Sequence, residues 1–494
     1  MKFERLLAGV GLLVAGGLLP LAFAPYSWWP VAVVTVAGLF MACSRASARR
    51  AAAYGWLFGI GMFAVGVGWV NESFQYGNVH GPVVWVLTAM FVIFLALFPA
   101  LGCALAARLS RPETVWRNAL AMPAAWMLVE WIRGWLLTGF TWLQLGYTQA
   151  DAPAAPLLPL FGSYAAGGLL ALSAGAACAL ACLRTRGALV AAVVVAIAWL
   201  ATLGAASVRW IEPDGAPIKV ALVQGNYAQD IKWRPENRLP TLRAYQRYTE
   251  AAFRDGADVV VWPETAVPSL QQHVKSYLRT LDAVAKDAGG TVLLGLPIRD
   301  EGKLYNSVLA VGMAEGIYRK QHLVPFGEYV PFSALLVPLL KAMSVPVPRF
   351  MPSARGQTLL RHEHVTFGIT ICYESAFGTE VSAALPEANV LVNVSNDAWF
   401  GDTLAPHQHL QIARVRVLET RRPMLRATNT GISELIAADG STIGRSPQFA
   451  THVLEGQLQP TRGMTLFARV GDWPVVALVI AMLLVSGLRL RRNA

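Results

Sequence analysis

VTFGITICYE, residues 365–374, decides how this chain is read. It is a short β-rich apolar run that delivers a cysteine, and then a glutamate, to its carboxyl end. On these residues alone two readings of Cys372 stand side by side: an inert core thiol, as buried cysteines usually are, or a nucleophile. Four more runs of the same kind surround it: KVALVQGN (219–226), DVVVWPE (258–264), TVLLGLP (291–297) and NVLVNVSN (389–396). Between some of them lie 238–255 and 271–288, where apolar residues recur at three- and four-residue spacings among charges, a helical pattern. Strands alternating with helices predict a layered α/β domain, in which sites gather at the carboxyl ends of strands. Glu264, Cys372 and Asn396 each stand at such an end.

The flanks are of another kind. The chain has 494 residues, 55% hydrophobic and only 14% charged, well below the roughly 25% charged of soluble proteins. Apolar segments near 6–24, 28–44, 54–72, 83–107, 118–137, 163–183, 187–207 and 473–489 approach the ~20 residues a helical span requires. Basic residues punctuate them alternately: Lys2 and Arg5 before the first, Arg45, Arg49 and Arg50 after the second, Arg108, Arg111 and Arg117 after the fourth, Arg184 and Arg186 after the sixth, and Arg489, Arg491 and Arg492 after the eighth. Eight crossings put all these groups on the cytoplasmic face, with both termini cytoplasmic and 208–470 extracytoplasmic. The first segment reads as a retained span, because Trp28, Trp29 and Pro30 lead straight into the next one without a small-residue cleavage site. The predicted domains are 1–207 (transmembrane helices 1–7), 208–470 (the α/β domain) and 471–494 (transmembrane helix 8 and a basic tail).

The net charge of +11 does not indicate nucleic acid, since the basic residues lie beside apolar runs, where they meet the cytoplasmic leaflet. The Ala/Gly-rich stretch 164–182 reads as close helix packing in lipid. Cys43, Cys103, Cys178 and Cys182 fall in predicted spans, leaving Cys372 alone in 208–470 with no disulfide partner. No CxxC pair or His-rich cluster points to zinc, so neither metal nor cofactor is expected.

A lone thiol reacts as its thiolate, which calls for a base and for a group that meets developing negative charge. Glu264, after an apolar strand and a Trp-Pro turn, is placed to be partly desolvated and to take up a proton. YRKQHLVPFGEYVPF (318–332) supplies Lys320 and Glu328. Taken singly, a strand-end glutamate is ordinarily a solvated or capping residue, and a loop lysine a surface one.

In this order and context, Glu264, Lys320 and Cys372 resemble the Glu-Lys-Cys triad of the nitrilase, or carbon–nitrogen hydrolase, superfamily. The blocks 318–332, ICYESAF (371–377) and NVSNDAWFGDTLAPHQH (393–409) resemble more closely its membrane-bound branch, the apolipoprotein N-acyltransferases. The resemblance covers nearly the whole chain, and the ordered set is far more specific than a fragment such as WPE. It implies eight transmembrane helices with an inserted periplasmic αββα sandwich, in the bacterial inner membrane. It also implies an acyltransferase that ends lipoprotein maturation in two steps. Cys372 takes the sn-1 acyl chain of a phospholipid, typically phosphatidylethanolamine, as a thioester; the amino group of an S-diacylglyceryl cysteine then receives it. By the same resemblance Glu264 is the general base, Lys320 steadies the oxyanion with the Tyr373 N–H, and Glu328 orients Lys320 or Glu264. Tyr373 and Glu374 match supporting positions, Trp233 a tryptophan on a mobile entrance loop, and Asn396 lines or braces the pocket with Asn393 and Asp397. A monomer is expected.

Other readings stay open at this point. The triad would equally serve a membrane-tethered amidase that passes the acyl group to water, and the many spans suggest a transporter. The apolar stretch 331–351 reads as an arm dipping into the outer leaflet, with a buried core helix as the rival. Glu130 and Arg133, at helical spacing in the fifth segment, are a functional pair or a structural one; His407 and His409 read as hydrogen-bonding residues rather than ligands.

Overall fold

The computed structural model describes residues 2–76, 81–342, 350–357 and 359–492. The chain divides into two compact units, one of Met1–Asn71, Gly81–Arg209 and Arg469–Ala494, the other of Glu72–His80 and Trp210–Ala468.

In the second unit, strands buried on both faces build two sheets. Its strands are β1 (Ile211–Pro213), β2 (Ile218–Gln224), β3 (Val259–Val261), β4 (Thr291–Asp300), β5 (Lys303–Gly312), β6 (Gly316–Arg319), β7 (Leu360–His362), β8 (Val365–Ile371), β9 (Val390–Ser395), β10 (Met424–Thr428), β11 (Glu434–Ile436), β12 (Thr442–Arg445), β13 (His452–Leu458) and β14 (Thr461–Gly463). One six-stranded sheet runs β13-β2-β3-β4-β5-β6, the other β12-β11-β10-β9-β8-β7, while β1 and β14 pair separately. Val220, Leu222, Val259, Val261 and Leu293 from the first sheet join Phe367, Ile369, Ile371, Val392 and Val394 from the second in one core. The alternate residues Ala221, Val223, Val260, Val292 and Leu294 turn the other way, onto Leu242 and Tyr245 of the helix Pro235–Arg254 and Leu278 and Leu281 of the helix Lys275–Asp287. On the far side of the second sheet, Leu391 and Met424 meet Leu410, Ala413 and Val417 of the helix Ala405–Thr420. The layers are helix, sheet, sheet, helix. Strands covered on both faces read as continuous apolar runs, which is why β3 and β9 stand out in the sequence. Each fully buried Val, Leu or Ile contributes about 1.5–3 kcal/mol, so the inter-sheet core and the helix-facing layers both stabilise this unit.

The first unit is helical: Lys2–Leu18, Pro30–Cys43, Ala48–Gly66, Pro82–Leu109, Met122–Arg133, Leu158–Leu183, Arg186–Ala205 and Trp473–Arg492 are its main helices. Among the described residues, Pro82–Leu109, Ala155–Leu183 and Arg186–Ala205 are long and apolar enough to cross a membrane; Leu6–Ala22, Pro30–Cys43 and Trp473–Arg489 are apolar but shorter. The third segment differs from its predicted position, being helical over Ala48–Gly66, and the fifth is broken. A π-helical turn, Trp116–Ala121, precedes Met122–Arg133, and a short 3-10 turn follows in which Leu137 has φ +54°. Pro123, which has no N–H to give, begins the regular part, and Gly134 and Gly139 close it off.

Four of the basic groups lie at one end of this helical unit. The buried Arg117 donates to the carbonyls of Ser44, Ala46, Ala107 and Ser110, tying the connections after the second and fourth segments together. A Cβ on Gly187 would lie 3.2 Å from Val115, and the Arg489 guanidinium sits 5.0 Å from the Trp116 ring centroid. The Ala/Gly-rich stretch packs closely, as its composition predicts: a Cβ on Gly175 would stand 2.6 Å from the Asn118 carbonyl oxygen. Glu130 and Arg133 form a buried pair at 3.8 Å. Arg133 also donates to the Phe140 and Trp142 carbonyls, and Glu130 accepts from the Leu145 N–H, so the two charges brace the irregular stretch that follows them.

Candidate active site

Glu264 lies one turn beyond β3, and its two oxygens are separately held. Oε1 accepts from Asn306 Nδ2 at 2.7 Å and Oε2 from the Asn396 N–H at 2.9 Å. The backbone beneath it is seated directly on β4. A Cβ on Gly295 would come within 2.5 Å of the Pro263 carbonyl oxygen and 2.8 Å of the Glu264 Cα, so only glycine fits there.

Lys320 follows β6, and its N–H donates to the Asn306 carbonyl on β5. Its ammonium is buried between two carboxylates, 2.8 Å from Glu328 Oε2 and 3.8 Å from Glu264 Oε1. Asn306 Nδ2 spans the same two carboxylates, donating to Glu328 Oε1 at 2.8 Å. Burial works against the charge on Lys320, but Glu328 and Glu264 outweigh it and raise its pKa. Burial raises the pKa of Glu264, with Lys320 opposing and Glu328 adding to the rise.

Cys372 directly follows β8 and opens the 3-10 turn Cys372–Ala376 with φ +52°, a left-handed conformation that β-carbon sterics disfavour. The strain turns the side chain out of the strand's period. Its thiol is pushed up to about 12 by burial and by Glu264, with Lys320 and a hydrogen bond to Ser395 opposing. A standing thiolate is therefore absent at neutral pH, and ionisation has to be coupled to a base. Glu264 and Lys320 come from the first sheet and Cys372 from the second, so the three sequence-expected groups meet across the seam of the sandwich.

Glu374 clamps that seam. Oε1 accepts from the N–H groups of Gln321 and His322, and Oε2 from the Ile371 N–H and the Tyr318 hydroxyl. Burial lifts its pKa to about 7 against the pull of Lys320 and those N–H groups. It fixes the segment after Lys320 to the strand that carries Cys372. Tyr373 is buried against Phe377, ring centroids 5.1 Å apart, and Phe377 stacks on His322 at 3.8 Å. Asn396 gives its N–H to Glu264, donates from Nδ2 to Gln229 and accepts from Asn429.

Two residues carry no sequence signal. Asn306 is a lone amide in a strand, where asparagine is depleted. Lys232 precedes Trp233, yet it is buried and donates to the Glu264 carbonyl at 3.2 Å and the Thr265 hydroxyl at 3.0 Å. Burial lowers its pKa to about 8, with Glu264 opposing. Trp233 itself is 48% exposed. Of the apolar stretch 331–351, the residues 343–349 lie outside the described ones; Ser333–Ala342 is a helix and the preceding Phe332 is 67% exposed. Among the described residues no group of three or more His, Cys, Asp or Glu is arranged to hold a metal.

Residues 15–176 match the family model of the apolipoprotein N-acyltransferase N-terminal domain, and residues 219–464 that of carbon-nitrogen hydrolases. An apolipoprotein N-acyltransferase of Methylococcus capsulatus is 43% identical, the match covering 98% of this chain and 96% of that protein. The chain belongs to the apolipoprotein N-acyltransferase family. Members from Azotobacter vinelandii and Photobacterium profundum are 40% and 36% identical, over 98% and 97% of this chain and 95% and 94% of those proteins. Among solved structures, a carbon-nitrogen hydrolase from Helicobacter pylori G27 superposes with a TM-score of 0.39 at 16% identity, covering 49% of this chain and 90% of that one. The carbon-nitrogen hydrolase match lies within the two-sheet unit, and the N-terminal match lies in the helical one except for Glu72–His80.

Proposed function

We propose that the chain, an acyltransferase by family, N-acylates the diacylglyceryl cysteine of lipoproteins through a thioester on Cys372. Glu264 takes the thiol proton as the sulfur attacks the sn-1 ester carbonyl of a phospholipid, phosphatidylethanolamine in the first instance. The oxyanion that forms is met by the Lys320 ammonium and the Tyr373 N–H. Collapse breaks the ester bond, and Glu264 returns its proton to the leaving alkoxide, giving a lysophospholipid and the acyl-enzyme. The α-amino group of the lipoprotein cysteine then attacks the thioester, Glu264 takes its proton, and expulsion of the sulfur leaves an amide and regenerates the thiol. Glu328 and Glu374 position Lys320, and Asn396 positions Glu264. Trp233 lines the entrance.

The observation that carries this is the buried cluster of Glu264, Lys320 and Glu328, of which Glu264 and Lys320 act electrostatically on the Cys372 thiol. Exposed Trp233 and Phe326, on the same loops as Lys232 and Glu328, suit substrates that keep their tails in lipid. We further read 1–207, 208–470 and 471–494 as seven spans, a periplasmic catalytic domain and an eighth span with a basic tail. The protein is then a monomer of the bacterial inner membrane with both termini cytoplasmic. Gathering of the basic groups at one end of the helical unit supports that orientation.

Intact-mass measurement tests the mechanism. Wild-type protein given phospholipid alone gains one acyl chain on Cys372, Cys372→Ser does not turn over, and Lys320→Met slows acylation by roughly 10²- to 10³-fold. Release of free fatty acid with no triacylated product from a diacylated lipopeptide would make the enzyme a hydrolase instead.

A further inference from the structure

The turn Gln229–Lys232 grips Glu264 at two places. Lys232 is 2% exposed, and its ammonium donates to the Glu264 carbonyl at 3.2 Å and to the Thr265 hydroxyl at 3.0 Å. Gln229 Oε1 accepts from Asn396 Nδ2 at 2.8 Å, and the Asn396 N–H in turn holds Glu264 Oε2 at 2.9 Å. Asn429 ties the start of the same segment to Asn396: it accepts from the Tyr227 N–H at 3.0 Å and donates to the Tyr227 carbonyl at 2.6 Å and to Asn396 Oδ1 at 3.0 Å. The backbone held in this way is strained. Thr265 has φ +48°, a left-handed conformation that a β-branched residue adopts only where its surroundings impose it. Gly295 supports that turn from β4, where a Cβ would come within 2.6 Å of the Thr265 nitrogen. An ammonium is costly to bury, and here the acceptors that offset the cost belong to the base's own turn.

We infer that Lys232 is a positioning residue for the base: by bonding the Glu264 carbonyl and the Thr265 hydroxyl, it holds the left-handed turn that aims the Glu264 carboxylate at Cys372. The inference rests on Glu264 as base and Cys372 as nucleophile, as set out under the proposed function. The same positive charge favours the ionised, proton-accepting form of Glu264, alongside Lys320 and against burial and Glu328. Lys320, Glu328, Lys232 and the Cys372 thiol are the titratable groups that act on that carboxylate. Burial lowers the pKa of Lys232 only to about 8, with Glu264 opposing, so the ammonium keeps its charge over the acidic range in which Glu264 titrates. The sign follows: removing the charge raises the Glu264 pKa further and moves the acidic limb of acylation to higher pH. A residue that merely stabilised the fold would leave that limb where it is.

Two substitutions in the full-length protein test this, each read as acyl-enzyme formation from labelled phosphatidylethanolamine over a range of lipid concentration and pH. Lys232→Met keeps much of the side chain's length without its donors or charge; Thr265→Val keeps the ammonium and removes one of its acceptors. In Lys232→Met the rate at saturating lipid is expected to fall about 10- to 100-fold, the half-saturating lipid concentration to stay within about twofold of wild type, and the acidic limb to move to higher pH. In Thr265→Val a fall of about three- to tenfold is expected, with the limb in place. An unchanged saturated rate in Lys232→Met, or a fall with the limb unmoved, overturns the inference. So does an effect confined to the half-saturating concentration, which would belong to the neighbouring Trp233 and lipid binding. Wild-type rates in Thr265→Val overturn it whether or not Lys232→Met folds. A wild-type protein that acquires no acyl group on Cys372, or a Glu264→Gln variant as fast as wild type, overturns the underlying nucleophile or base reading instead.

Discussion

At the scale of single residues, the candidate site is governed by desolvation. Glu264 has to be ionised to accept a proton, and burial raises its pKa above the usual carboxylate value of about 4.3. The sign follows: the ionised form works, so activity is lost as pH falls through the raised pKa, and the acidic limb of kcat/KM lies above 4.3. Glu328 contributes to that rise; in Glu328→Gln the limb is expected to move to lower pH, read from the pH profile of acyl-enzyme formation. Asn306 holds both carboxylates through one amide nitrogen. Asn306→Leu leaves two buried carboxylates short of a donor, and a loss of roughly 10²-fold in acylation is expected with the far-UV circular dichroism unchanged. Cys372, Glu264 and Lys320 were legible in the sequence because each follows an apolar run or lies in a distinctive block. Asn306 and Lys232 were not, because what makes them matter is a neighbour distant in sequence, and nothing in YNSV or DIKW declares burial.

At the scale of elements, β2, β3, β4, β8 and β9 were readable within a few residues, since strands buried on both faces are short apolar runs with sharp polar ends. The break in the fifth apolar segment was not foreseen: hydropathy counts side chains, whereas the break comes from a π turn before Pro123 and glycines after Arg133. Elements also carry the site by close contact. Gly295→Ala forces β4 away from the Glu264 turn, and at least a tenfold fall in acylation is expected from the misplaced carboxylate, with the protein still folded by size-exclusion chromatography. The helix Ala405–Thr420 and β10 are joined through Asp397, which meets both His409 and Arg426. Asp397→Asn leaves Arg426 buried without its counter-charge and is expected to destabilise by about 3–5 kcal/mol, read as a lowered midpoint of thermal unfolding. Because the carboxyl of Asp397 is held down to about 2, its contribution to stability is present above about pH 4 and is lost as pH falls toward 2.

At the scale of the whole molecule, composition alone separated an apolar helical part from an α/β part, and the charge alternation grouped the connections that Arg117 and Arg489 now join. Thr451→Cys, exposed in the two-sheet unit, is expected to react with a membrane-impermeant maleimide in intact spheroplasts when Cys182 and Cys372 are replaced. Arg186→Cys, at the start of the helix Arg186–Ala205, is expected to react only after permeabilisation. Sequence could not foretell that base and sulfur stand on different sheets, because pairing order is settled by tertiary packing rather than by local pattern. That division makes Cys372 alkylation a gauge of sheet docking. A swap that thins the shared interior, such as Ile371→Val, should relieve the burial that holds the thiol up and quicken its alkylation well before any secondary structure melts, and no fragment carrying one sheet should react like the intact enzyme.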